Sequence, residues 1–197
     1  PDTAAVSTLN LEGAVVIGAS VSAGFGCLMP VDVTPPDAPK DTPPATAMGT
    51  VRLADMLAAA SNNPSFKPRS LATLRFFQNP EVISQQTLEQ ALEAKPKLVF
   101  AVDYLFWHAY GWLPDEPSRI DRFERGLKRL EQFDSSVPVV VGDLPDMRHA
   151  TLMLRPEMVP EVATLAKLNE RVREWAKGHP NIVIIPLSGF VKAAMDG

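Results

Sequence analysis

Four short apolar runs constrain this chain more than any other feature. They lie at Ala14 to Ile17, Lys97 to Val102, Val137 to Val141 and Asn181 to Ile185. None alternates polar with apolar residues, so each reads as a strand covered on both faces rather than one face. The stretches between them carry apolar residues at three- and four-residue spacing. Ile120, Phe123, Leu127, Leu130 and Phe133 make one such stripe, and Val162, Leu165, Leu168, Val172 and Trp175 another. Strand and helix thus alternate about five times. That pattern predicts an α/β fold of three α/β/α layers, with a mostly parallel central sheet of about five strands.

The remaining segments fit this plan as connections. Pro30 to Pro44 holds six prolines, which excludes a helix or a central strand and predicts an extended surface loop beside the first strand. Thr50 is placed to cap a helix carrying Leu53, Met56, Leu57 and Ala60 on one face. A short strand is expected near Phe66 to Ala72, then a helix from Asn79-Pro80 to Lys95. Ser118 with Asp121 reads as a capping box, Gly178 as a helix stop, and a last short helix starts near Ser188.

At 197 residues the chain is one domain, 1–197, with enough length for a sizeable core. A net charge of −4 argues against nucleic acid or an anionic membrane surface as its main partner. No apolar run approaches the ~20 residues that span a bilayer. The single cysteine, Cys27, excludes an internal disulfide and reads either as a small buried hydrophobe or as a rival nucleophile. The opening PDTAAVSTLN would suit the stretch left after an export signal is removed, so a periplasmic or secreted location is expected.

The first strand leads directly to the chemistry. Gly18 ends the apolar run, Ser20 follows among small residues, and Gly24 and Gly26 leave the next turn open. A serine just past the end of a buried strand sits where open α/β sheets form their ligand crevice. A helix expected to start there would supply unpaired N–H groups for a developing negative charge. No lysine follows the glycines as a P-loop requires, and their spacing does not match the dinucleotide fingerprint. Ser22 stands where the hydrolase elbow Gly-x-Ser-x-Gly needs its second glycine.

The segment Gly18-Ala19-Ser20 after the first strand resembles block I of the SGNH (GDSL-like) hydrolases, with Ala19 in place of that family's Asp. The resemblance implies a flavodoxin-like α/β/α domain and a serine hydrolase of carboxylic esters, acyl or acetyl, with a small-molecule ester as partner. It implies no cofactor and no metal. Ser20 would be the nucleophile, and its backbone N–H half of the oxyanion hole. The family's second block supplies a glycine N–H, but no glycine lies between Thr50 and Pro80, so the turn from Arg69 to Leu74 would have to donate from another residue. Its third block reads Gly-x-Asn-Asp, where this chain has Ala101-Val102-Asp103-Tyr104. Asp103 and Tyr104 are therefore the candidate pocket residues. A carboxylate has no proton to donate to an oxyanion, so Asp103 either is kept protonated by apolar surroundings or serves structurally, capping a turn or pairing with Arg122. The family's base is an Asp-x-x-His pair, for which Asp196 is the candidate Asp, with its His expected beyond Gly197. His108 and His149 are the substitute bases on loops at the same sheet edge; His179 falls at the opposite end. Asp143 and Asp146 invite a magnesium reading, but no third ligand is spaced nearby. The aromatic loop at 104–112 and the Met/Leu loop at 147–160 form either a core lid or the walls of an apolar pocket. The alternative function is a binding protein on the same scaffold, for a small molecule or carbohydrate, with its chemistry lost.

Overall fold

The computed structural model describes residues 11–61, 63 and 65–196. In chain order its first half contains β1 (Ala14–Val16), β2 (Leu28–Asp32), β3 (Thr46–Thr50), α1 (Leu53–Ala60), β4 (Arg69–Ser70) and α2 (Pro80–Glu93). The second half contains β5 (Leu98–Ala101), α3 (Phe106–Ala109), α4 (Glu116–Leu130), β6 (Val139–Gly142), α5 (Val162–Lys177), β7 (Ile182–Ile185) and α6 (Leu187–Asp196). Five strands form the central sheet in the order β4-β1-β5-β6-β7, with every neighbouring pair parallel. The fold is therefore the expected three-layer α/β/α arrangement, with the strand order of flavodoxin-like sheets. The chain reverses its direction of travel across the sheet between β1 and β5. Crevices open at such switch points, beyond the carboxyl ends of the strands.

Both faces of the sheet are apolar, which is why the strands read as unbroken runs. Val15 lies in register with Val99, and Val99 with Val139, and all three face a large core built with α2, α4 and α5. Leu88, Phe123, Leu127, Leu130, Leu168 and Val172 fill that core with almost no exposure. Each such side chain contributes about 1.5–3 kcal/mol on leaving water. The alternate residues Ala14, Val16, Leu98 and Phe100 face a smaller cluster closed by Ala54 of α1 and by Phe66.

Several local expectations are corrected. No helix starts after Ser20. The chain there winds through turns in which Ala23 N–H donates to Ala19 O and Phe25 N–H to Ser20 O. The proline-rich stretch is not wholly loop, because β2 and β3 pair as a separate antiparallel ribbon with Pro30 opposite Met48. Proline is tolerated there because a two-stranded ribbon leaves outward edges that need no N–H. α1 is opened by Asp55, which accepts the Arg52 N–H at 3.0 Å, rather than by Thr50. α4 is capped by Asp115, which accepts the Ser118 N–H at 2.7 Å; Ser118 thus lies inside the helix.

Among the described residues no helix is long and apolar enough to cross a membrane. Residues 1–10, and with them the reading of an export remnant, lie outside the described residues.

Candidate functional site

β1 and β5 are adjacent parallel strands, so the turn after one meets the residue after the other. Asp103, at the end of β5, reaches across into the Ser20 turn. Its Oδ1 accepts the Ala19 N–H at 2.9 Å and the Ser22 hydroxyl at 2.6 Å. Its Oδ2 accepts the N–H groups of Val21 at 2.8 Å and Ser22 at 3.1 Å. Four donors on two oxygens use the acceptor capacity of a carboxylate, and Asp103 is nearly sealed from solvent. Of the readings offered for Asp103, turn capping is the one observed: it accepts from the Ser20 turn, and it neither donates a proton nor pairs with Arg122.

Gly18 makes this approach achievable. A Cβ at that position would stand 2.3 Å from Asp103 Oδ1 and 3.0 Å from the Ser22 hydroxyl, and φ is +153°. Only glycine fits both the contact and the backbone.

The clamp takes the N–H groups on either side of Ser20 and leaves that of Ser20 itself. Among the described residues neither the Ser20 N–H nor its hydroxyl has a hydrogen-bond partner. Ser20 is half-buried and borders a cavity of about 450 Å³. Leu74 borders the same cavity at the start of a short 3-10 turn that Thr73 caps, and its N–H has no partner among the described residues. It belongs to the segment expected to supply a second donor.

The aromatic loop divides between core and cavity. Phe106 stacks on Tyr110 with centroids 4.1 Å apart, and Trp107 packs on Phe77 at 5.7 Å; Phe106, Trp107 and Phe77 line the cavity. Tyr110 turns inward and donates to the Pro145 carbonyl at 2.6 Å, and burial pushes its hydroxyl up to about 12. Tyr104 is corrected as a pocket residue. It is fully buried, donates to the Ser84 carbonyl at 3.3 Å, and burial holds its phenol well above the ordinary range. Phe77 and Phe25 carry no sequence signal beyond being apolar residues in loops, so they were not expected at the site.

His108 is likewise corrected as a base. It is sealed against Phe76, Tyr104 and Gly126, and neither ring nitrogen has a partner among the described residues. Burial, aided by the Arg129 charge, drives its pKa down to about 3. The carbonyls at the end of α3 are gathered instead by two buried arginines of α4. Arg122 donates to those of His108, at 3.0 Å, and Tyr110, while Arg119 donates to that of Ala109. Burial and the neighbouring Arg119 charge bring Arg122 down to about 10. Nothing in the sequence separates these arginines from the solvated charges of the same helix.

The other candidates collect elsewhere. His149 and Asp196 line a second cavity, about 500 Å³, that shares no lining residue with the first. Asp143 accepts the N–H and hydroxyl of Ser188 at 2.7 and 2.5 Å, holding the start of α6, and Asp146 pairs with Arg148. Among the described residues no group of three or more His, Cys, Asp or Glu is placed to hold a metal ion. Cys27 is only half-buried and borders neither cavity.

No family model, curated protein or solved structure matches this chain.

Proposed function

We propose that the chain is a serine hydrolase of carboxylic esters, of the SGNH type that its first turn resembles, with Ser20 as nucleophile. One observation carries this reading. A hydroxyl and a backbone N–H of the same residue stand without partners among the described residues, beside an apolar cavity and in a turn fixed by a buried carboxylate. In the reaction Ser20 Oγ bonds to the ester carbonyl carbon while its proton passes to a base. The negative charge that gathers on the carbonyl oxygen is met by the N–H groups of Ser20 and Leu74. The alcohol leaves with a proton, and water then cleaves the acyl-serine to the free acid and restores Ser20. Asp103 positions the turn. Asp196, the candidate Asp of the base pair, lines the other cavity, and no base for Ser20 is assigned among the described residues.

A fluorophosphonate probe tests the assignment. Labelling of the wild type and none of Ser20→Ala is the expected result; an unlabelled wild type removes the hydrolase. The second reading, a small-molecule binding protein, draws on a different observation. Among the described residues no histidine or carboxylate hydrogen-bonds the Ser20 hydroxyl. An unlabelled protein that still binds a ligand in the cavity supports that reading.

A further inference from the structure

We propose that the cavity beside Ser20 is a hydrocarbon-chain site. In the hydrolase reading, on which this substrate assignment rests, it is the acyl subsite for an ester of a medium-length aliphatic acid rather than an acetyl ester.

The lining makes the case by what it contains. Apart from Ser20 and the indole N–H of Trp107, which is buried without a partner among the described residues, the lining side chains are apolar, and the walls are set by Phe77, Phe106, Trp107 and three methionines. A sugar or a polar acid would need buried groups to satisfy its hydroxyls or charge, and a site without them rejects such ligands. The volume points the same way. About 450 Å³ equals the share of roughly fifteen water molecules at ~30 Å³ each, far more than one methyl group requires. Met147, Met153 and Met158 are unbranched and polarizable, so they can follow a flexible chain that branched side chains would meet rigidly.

The rim makes the case by its position. Val21, Phe25, Phe77 and Met153 border the cavity and are each more than half exposed. Apolar side chains are therefore shared between the cavity wall and the solvent-exposed surface. Scattered apolar residues on a surface are ordinary, but a cluster around a concave site beside an unpartnered serine marks a binding site. The second cavity is a control within the same molecule. It is of similar size but is lined by Asp146, His149, Lys192 and Asp196, and no chain site is proposed there.

The experiment is a series of p-nitrophenyl esters with a constant leaving group, from acetate through butanoate and octanoate to decanoate. kcat/KM is expected to rise roughly threefold or more per added methylene up to the chain that fills the cavity. Met153→Asp, at an exposed rim position, is expected to reduce the octanoate-to-acetate ratio at least about tenfold. A thermal melt checks that this variant folds. If acetate is the best substrate and turnover is lost in Ser20→Ala, the chain site is overturned and the hydrolase stands. If no ester turns over, the hydrolase falls, and calorimetric titration with sodium decanoate decides the cavity. Decanoate binding that Met153→Asp removes upholds the chain site, and no binding overturns it.

Discussion

Asp103 and Asp143 make an internal comparison, because each is a buried carboxylate just past a parallel strand. Each holds a serine-bearing segment that follows the neighbouring strand. Asp143 spends its two oxygens on the N–H and hydroxyl of one residue, Ser188, and so uses that serine up as a cap. Asp103 accepts from Ala19, Val21 and Ser22 and passes over Ser20 between them. One device therefore gives two outcomes. At β6 it finishes a helix start, and at β5 it presents a serine whose hydroxyl and N–H have no partner among the described residues. The lesson is that a strand-end carboxylate does not mark a site by itself; the serine it leaves unbound does.

The sharpest way to break this comparison is to remove each serine. Ser20→Ala is expected to cut esterase activity by about 1,000-fold or more, whereas Ser188→Ala is expected to leave it within about twofold, measured on the same p-nitrophenyl ester. Equal losses would show that the two edges are not functionally distinct. Next come the supports of the clamp. Gly18→Ala drives a methyl into Asp103, and Asp103→Asn replaces an acceptor oxygen with an amide facing N–H donors. Each is expected to cost about 3 kcal/mol in urea unfolding and to lower kcat.

His108 yields a pH contrast in the layer beneath. It stays neutral in the folded chain down to about 3, while the unfolded chain takes up a proton near 6.5. Between those values the unfolded state binds more protons, so stability falls as pH drops through that window, by up to ~1.4 kcal/mol per unit. His108→Phe should flatten this acid limb in pH-dependent unfolding and leave the pH profile of activity unmoved; a shifted activity profile would restore His108 as a base. The smallest effect belongs to Asp143→Asn, expected to cost about 1–2 kcal/mol with activity retained.

The fold was legible in the sequence because both sheet faces are covered, and that covering leaves the unbroken apolar runs of β1, β5 and β6. The Ser20 turn and the delivery of Asp103 to the same edge followed from strand order. What Asp103 does there did not follow. Whether a carboxylate donates, pairs with a base or receives N–H groups depends on donors more than eighty residues away in the sequence. The β2–β3 ribbon was hidden because its prolines read as loop, although an isolated ribbon tolerates them. His108, Tyr104, Phe106 and Trp107 belong to one aromatic stretch, and composition cannot tell which of them turn inward. Only packing does that: Gly126 leaves the gap that His108 fills, with Tyr104 packed against its ring.

The Ser20 turn is not self-supporting. Its shape is imposed by a residue made eighty-odd positions later, so a nascent chain halted before Asp103 carries a serine with no defined geometry. Contacts this distant in sequence form only after slow loop closure. Under the proposed function, competence for chemistry would arrive together with completion of the β1–β5 pairing, and a partly made or partly opened chain would hold no positioned Ser20 to misuse.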